Sequence, residues 1–356
     1  MGQAAGTRGA QLEERYFRQK VKLGEGSFGT VWRAVDRQSG DTVAIKQLDK
    51  ASMPRRGVTP QHVKQEIALM QVCRHENILQ LLDKFEDEAY MYLALEYCDG
   101  GDFGDKIREQ GLGLSEREAA DWVRQMCQAV CVLHTQGICH RDIKPDNFMV
   151  HKRTNLKLAD FGLATVIPEK QLLPGACGTP AFNAPEQYWR SVSGGYSFPV
   201  DMWAVGVSMY MVMFGGKHPF MDDDQHLDKK ALLQGKLDFR DRSSATGFLG
   251  FEGVGGMGLR FSEEARQLCR CLVEPDPHRR LPAQQAVCTP WLRSSSAPRR
   301  AATSVAPVHA RSESKQQQAP QPSRAATPQQ LRRGTSRRTS TPVQRMVSVP
   351  TPARHS

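Results

Sequence analysis

Apolar and polar positions alternate from Tyr16 to Asp49, with β-branched residues enriched, and this predicts strands. The run breaks at the glycine-rich "GEGSFG" and again at "SGD", a hairpin signal. In "PQHVKQEIALMQVC", 60–73, Val63, Ile67 and Met70 recur at helical spacing. Residues 77–98 return to strands around an acidic turn. After "DGGD" the period becomes helical. Ser115 and Glu118 form a capping box that opens a helix, and Gly137 lies beyond its end. The apolar run 202–214, "MWAVGVSMYMVMF", is too short to span a bilayer and predicts a buried helix. The order predicts an α+β chain of two lobes. A β-rich N-lobe spans 16–95, a hinge 96–101 and a helical C-lobe 102–292, after a flexible leader at 1–15. Two such lobes make a cleft, where ligand sites are preferentially found.

The net charge of +10 changes this picture. Residues 293–356 hold eleven Arg and one Lys against one acid, Glu313, or +11. The other 36 basic and 37 acidic residues leave the body at −1. The tail has no Phe, Trp or Tyr and is rich in Ser, Thr, Pro and Gln, so it predicts disorder. Nine cysteines show no C-x-x-C pair and no matching histidine cluster, which predicts reduced thiols rather than a metal or disulfide framework. The N-terminus lacks an apolar leader segment. A cytoplasmic monomer with access to the nucleus is the expectation.

Four short stretches carry candidate chemistry. "LGEGSFGTV", 23–31, places Gly24, Gly26 and Gly29 as G-x-G-x-x-G. Glycines let a backbone approach a polyphosphate, although a plain hairpin turn fits as well. A dinucleotide fingerprint would lead into a helix, but "TVWRAV" is another strand. "VAIK" puts Lys46 in an apolar run. A buried lysine needs a partner, and Glu66 on the following helix is the candidate; otherwise Lys46 points to solvent from an edge. "HRDIKPDN" concentrates Asp142, Lys144 and Asn147 in a loop, and Asp160 follows in "ADFGLA". Oxygen donors of this kind suit a hard cation such as Mg²⁺. Singly, each is also an ordinary solvated loop residue.

Taken together and in order, these stretches resemble the eukaryotic protein kinase signature across 16–292. "APE" at 184–186, "DMWAVGV" at 201–207 and Arg280 in "DPHRRL" extend the likeness, with Arg280 matching the arginine that pairs with Glu186. Lys144 marks the serine/threonine branch. "GTPAFNAPE" and "DPHRRLPAQQAVCTPWL" are most similar to the calcium/calmodulin-dependent kinase group. The resemblance implies a two-lobed kinase that transfers the γ-phosphoryl of Mg·ATP to Ser/Thr hydroxyls of proteins. It implies Asp142 as base and Lys144 as a contact of the transferring phosphate. Asn147 and Asp160 would hold Mg²⁺. ATP would lie under Leu23, Gly24, Glu25, Gly26, Ser27, Phe28, Gly29, Thr30 and Val31. Lys46, held by Glu66, would take the α- and β-phosphates. Adenine would sit between Val31, Ala44 and Met149 and bond the hinge backbone at Glu96 and Cys98. Leu95 matches the gatekeeper, and Asp102 the acidic ribose contact. Met70, Leu81, His140 and Phe161 would stack between the lobes. A pseudokinase scaffold is the alternative, but such chains usually lose the counterparts of Lys46, Asp142 or Asp160.

The pattern departs in places. Arg141 is of the type that reads an activation-segment phosphate, yet the usual acceptor position, two before Cys177, is Gly175. Thr179 matches a contact of the catalytic aspartate, so phosphorylation of this segment is not expected to be the switch. Ala181 stands where glutamate is frequent, and the glycine-rich stretch 247–258 has no assigned role. Asp102 and Asp146 match positions that read a basic residue upstream of the acceptor. The tail holds "RRAAT", "RRGTS" and "RRTS", making Thr303, Thr335 and Ser340 candidate autophosphorylation or pseudosubstrate sites. Thr-Pro at 327, 341 and 351 suits proline-directed kinases. Without aromatics the tail is not expected to bind a specific nucleic acid. Membrane attachment is not expected either, since "MGQAAGT" misplaces the hydroxyl of an acylation signal. No basic amphipathic helix follows Leu292, so calmodulin is not an expected partner.

Overall fold

The computed structural model describes residues 8–26, 29–56, 58–111, 114–169, 171–188, 194–240 and 261–295. The glycine-rich stretch at 247–258 and the tail sites Thr303, Thr335 and Ser340 lie outside them.

Helix α1 (Arg8–Arg15) precedes the sheet. The sequence pattern suggests a loose leader here, but Leu12 is buried against Tyr16, and Arg15 pairs with Asp36 at 2.8 Å. One apolar side chain and one ion pair anchor eight residues that hydrophobic periodicity alone would miss. Five antiparallel strands follow: β1 (Tyr16–Gly26), β2 (Gly29–Asp36), β3 (Thr42–Asp49), β4 (Leu81–Glu86) and β5 (Tyr90–Glu96). Their spatial order is β1-β2-β3-β5-β4. Strand alternation divides β3 between two faces. Val43 and Ile45 pack with Leu12 and Tyr16. Ala44 and Leu48 face the main core, against Val63, Ile67 and Met70 of α2 (Pro60–Val72). Thr59 caps α2, and His62 completes the capping box.

The C-lobe begins with α3 (Phe103–Gln110) and α4 (Glu116–Thr135). Ser115 and Glu118 form the expected capping box of α4. Two small antiparallel ladders follow. β6 (Ile138–Cys139) pairs with β9 (Thr165–Val166), and β7 (Phe148–His151) with β8 (Asn155–Leu158). Short α5 (Pro185–Tyr188) leads to α6 (Pro199–Met213), whose residues from Val200 onward are all buried. Then come α7 (Lys229–Leu233), α8 (Glu263–Leu272), α9 (Ala283–Ala286) and α10 (Pro290–Ser295). A Cβ on Gly206 would stand 2.7 Å from both Leu272 Cβ and Val273 Cγ2, so a glycine lets α6 approach α8.

The hinge is tied to the C-lobe by polar contacts. Lys157 Nζ lies 2.8 Å from Glu96 Oε1. The Lys152 amide donates to Asp99 at 2.7 Å, and His151 Nδ1 lies 3.1 Å from the Tyr97 carbonyl. Asn77, ahead of β4, donates to Gln125 at 2.9 Å and to the Leu156 carbonyl at 3.0 Å, so the N-lobe sheet rests on β8 and α4.

Candidate active site

The loop between β6 and β7 carries "HRDIKPDN". Asp201, at the start of apolar α6, holds its entry. Asp201 accepts from the His140 amide at 2.9 Å and the Arg141 amide at 2.8 Å, and His134 Nε2 lies 3.0 Å away. Burial would push the Asp201 carboxyl up, but His134, His140 and these hydrogen bonds outweigh it and hold it low. Arg141 turns the chain at φ 68°, a conformation unusual for a side-chain-bearing residue. Sequence reasoning assigned Asp201 no role. The available signal was one acid leading a fully apolar helix.

Four donors converge on Asp142. Oδ1 accepts from the Thr179 amide at 2.9 Å and the Thr179 hydroxyl at 2.8 Å. Oδ2 faces Asn147 Nδ2 at 2.9 Å and Lys144 Nζ at 3.1 Å. Lys144 also donates to the Thr179 hydroxyl at 2.7 Å. Burial pushes this carboxyl up, but Lys144, Thr179 and Asn147 prevail and hold it below the usual carboxylate range. Asp142 therefore stays ionised, acceptor-ready and fixed in orientation. Asn147 also donates to the Asp142 carbonyl at 2.7 Å, which leaves its Oδ1 as the oxygen able to face a cation. The Ala159 amide donates to the Asn147 carbonyl at 2.8 Å, which brings Asp160 beside Asn147. Asp160 is exposed, with a left-handed φ of 57°.

Above this floor, Lys46 Nζ lies 3.0 Å from Glu66 Oε1. Burial disfavours the ammonium, but Glu66 and nearby Asp160 outweigh it and keep Lys46 firmly protonated. Among the described residues no three His, Cys, Asp or Glu could hold a metal by themselves. Asn147 Oδ1 and Asp160 are thus a partial set of hard oxygen donors, which fits a Mg²⁺ completed by phosphate oxygens and water.

The remaining expected positions are distributed as follows. Gly26 and Gly29 face each other where β1 turns into β2. Ser27 and Phe28 fall outside the described residues. A Cβ at Gly29 would sit 1.9 Å from the Gln47 carbonyl oxygen, so strand packing alone demands this glycine. At Gly24 a Cβ would meet nothing within 4 Å, so protein packing does not demand that one. Glu25 pairs its side chain with Lys22 and sits opposite Thr30 in the β1–β2 ladder. Leu23 is exposed, Thr30 and Val31 are half-buried and Ala44 is buried. The Glu96 amide donates to the Gln80 carbonyl at 3.0 Å, which leaves the carbonyl of Glu96 for a ligand. Burial beside Glu96 pushes the Cys98 thiol up to about 12, so it is inert as a nucleophile. Leu95 is buried in the main core. Met149 bridges to Asp102 across the mouth. Asp102 caps α3 by accepting from the Asp105 amide at 2.8 Å, and burial pushes its carboxyl up to about 6. The His140 and Phe161 rings pack edge to face at 5.3 Å, and Phe161, Met70 and Leu81 share the main core.

A β-sheet lobe with a Lys–Glu pair, placed above a loop that orients one aspartate, defines a phosphotransferase domain. Residues 17–292 match the protein kinase domain, and the chain belongs to that family. It is 36% identical over 277 residues to hormonally up-regulated neu tumor-associated kinase homolog A of Xenopus laevis, covering 77% of this chain and 37% of that protein. It is 32% identical to a probable myosin light chain kinase of Dictyostelium discoideum, covering 77% of this chain and 73% of the relative. A probable serine/threonine-protein kinase of the same organism, fhkD, is 31% identical over 79% of this chain and 37% of its own length. The chain thus spans little more than a third of the first and third of these relatives. The kinase domain implies use of ATP. Among the described residues no helix is long and apolar enough to cross a membrane.

Proposed function

We propose that this chain is an ATP-dependent serine/threonine protein kinase of the calcium/calmodulin-dependent kinase type, acting in the cytoplasm as a monomer. The observation that carries the reading is the Asp142 carboxylate, held ionised and oriented by Lys144, Thr179 and Asn147 beneath a closed Lys46–Glu66 pair. A general base must be positioned before it is tuned, and Asp142 is positioned by four donors. It accepts the proton of the substrate hydroxyl. Lys144, between Asp142 and Thr179, neutralises the transferring phosphoryl group. Lys46 binds the α- and β-phosphates. Asn147 and Asp160 hold Mg²⁺, which offsets phosphate charge when bound. The open space at Gly24 leaves room for phosphates, and Val31, Ala44 and Met149 enclose adenine against the Glu96 carbonyl and Cys98. Asp102 faces the ribose. The work is positioning and electrostatic stabilisation. Lys46, Asp142 and Asp160 are all present, which speaks against a pseudokinase scaffold.

Substrate proteins carry an arginine upstream of the acceptor. The support is the group Asp102, Asp105 and Asp146, which lie 4.0, 2.8 and 3.3 Å from Arg108 Nη2. Three carboxylates around one guanidinium leave a net negative rim. The +11 tail, with Thr303, Thr335 and Ser340 after arginines, is a tethered substrate or pseudosubstrate for that rim.

The test is ³²P transfer from Mg·ATP by the full chain to a peptide with Arg three residues before Ser. Asp160→Ala serves as control. Transfer that the substitution abolishes supports the enzyme. ATP binding without transfer to any peptide or protein substrate would support the scaffold.

A further inference from the structure

Opposite the guanidinium of Arg141, the activation segment from Asp160 to Glu186 presents no free phosphate acceptor. Gly175 stands at the acceptor position. Thr165 is in β9, paired with Cys139, and the Thr179 hydroxyl is committed to Asp142. Yet Arg141 is not loose. Its amide donates to Asp201 at 2.8 Å, and its Nε to the Leu163 carbonyl at 2.7 Å. The charge of the guanidinium also reaches the phenol of Tyr196 and offsets part of the effect of burial there.

Tyr196 is built into the segment on several sides. It is 3% exposed, too deep for a chance contact. Its backbone exchanges two hydrogen bonds with Leu173, at 2.8 and 3.1 Å. Its hydroxyl lies 3.3 Å from Cys177 Sγ, two residues before Thr179. A Cβ on Gly195 would come within 2.7 Å of Leu172 Cβ, so this approach is pressed tightly onto the segment. Three residues beyond Tyr196 begins α6, which carries Asp201. Tyr196 thus joins Arg141 and the turn that delivers Thr179 to Asp142 through its phenol, and Leu173 through its backbone. Burial keeps the phenol neutral, well above its usual range, so it serves as a hydrogen-bonding post and not as an anion.

We propose that Tyr196 is a positioning residue that stands in for an activation-segment phosphate. Its hydroxyl, through Arg141 and Cys177, holds the segment so that Thr179 reaches Asp142 without phosphorylation. The inference rests on the kinase reading above, but its first readout does not need catalysis.

The experiment uses the full chain and Tyr196→Phe. Phenylalanine keeps the ring in the core and removes only the hydroxyl, and thermal melting checks the fold. Amide hydrogen exchange is measured over 171–183 with and without the substitution. Faster exchange there, with α4 and α6 unchanged, is expected whether or not a peptide substrate is found. Steady-state kinetics should show kcat falling about threefold to tenfold, the size of one ordinary hydrogen bond, with KM for ATP unchanged. Arg141→Ala and the double variant complete the cycle, and the double variant should lose less than the product of the two single losses. Unchanged exchange, wild-type kcat in Tyr196→Phe, or losses that multiply independently would overturn the proposal. So would stoichiometric phosphate on the segment of active protein. A wild-type chain that transfers no phosphate, with exchange responding as expected, would count against the kinase reading and not against the post.

Discussion

Arg280 and Glu186, ninety-four residues apart, form a bidentate pair in the core. Nη1 lies 2.6 Å from Oε1 and Nη2 2.9 Å from Oε2. Their side chains are 0% and 4% exposed. Arg280 also donates to the carbonyls of Glu274, Pro199 and Pro275, so the planar fork is almost fully used. The pair fastens the end of the activation segment to the segment between α8 and α9. Arg280→Ala would leave Glu186 charged, buried and unpaired. It is expected to cost about 3–5 kcal/mol, read from urea unfolding. Arg280→Lys should recover only part of that, because an ammonium cannot reproduce the fork.

Glu66→Gln removes the anion from Lys46 while keeping the shape of α2. Lys46 would then lose the partner 3.0 Å away and swing from the phosphate position. The expected result is a fall of about a hundredfold in kcat/KM, within the range for loss of one preorganised electrostatic contact. Peptide phosphorylation checks it, with melting measured alongside to show that the domain stays folded.

The carboxyl of Asp102, pushed up to about 6 mainly by burial, titrates in the working range. It is neutral at pH 5 and ionised at pH 7.5. If it receives the upstream arginine, KM for an arginine peptide should fall as pH rises through about 6. Asp142 is held low and stays ionised throughout, so kcat should not share that inflection. Asp102→Asn should abolish the inflection in KM. The same shift bears on stability with the opposite sign. A carboxyl raised above its unfolded value favours the fold below the unfolded pKa, and this is lost as pH rises through about 6. Asp102→Asn, which still caps α3, should therefore melt higher than the parent at pH 8 and no higher at pH 4.

Removal of the basic tail after Arg299 retains α10, which ends at Ser295. A tethered pseudosubstrate predicts a lower KM for the arginine peptide in the shortened chain, with kcat unchanged. The difference should shrink at high salt, because charged groups exposed to water are screened. Label on Thr303, Thr335 or Ser340 in the full chain, absent in Asp160→Ala, would identify the tail as a substrate.

What could be read along the chain was whatever a local period or a compact motif encodes. Alternation located the strands of the N-lobe, and helical spacing with a capping box located α2 and α4. The motif spacings brought Lys46, Glu66, Asp142, Lys144, Asn147 and Asp160 into one reading, because each stretch holds its own chemistry within a few residues. Partners that lie far apart, with no period linking them, were settled by tertiary packing. Leu12 became a core residue because the sheet offered it a pocket beside Tyr16. Asp201 became the anchor of the loop at 139–147 because α6 brings a buried acid beneath two amides sixty residues earlier. Lys157 took Glu96 because β8 meets the hinge, and Arg108 reached Asp146 because α3 packs on the loop that carries Asn147. Tyr196 looks like any aromatic before a helix. Its meeting with Arg141 and Cys177 depends on how the activation segment folds back, and a hydrogen bond between distant residues leaves no spacing to read.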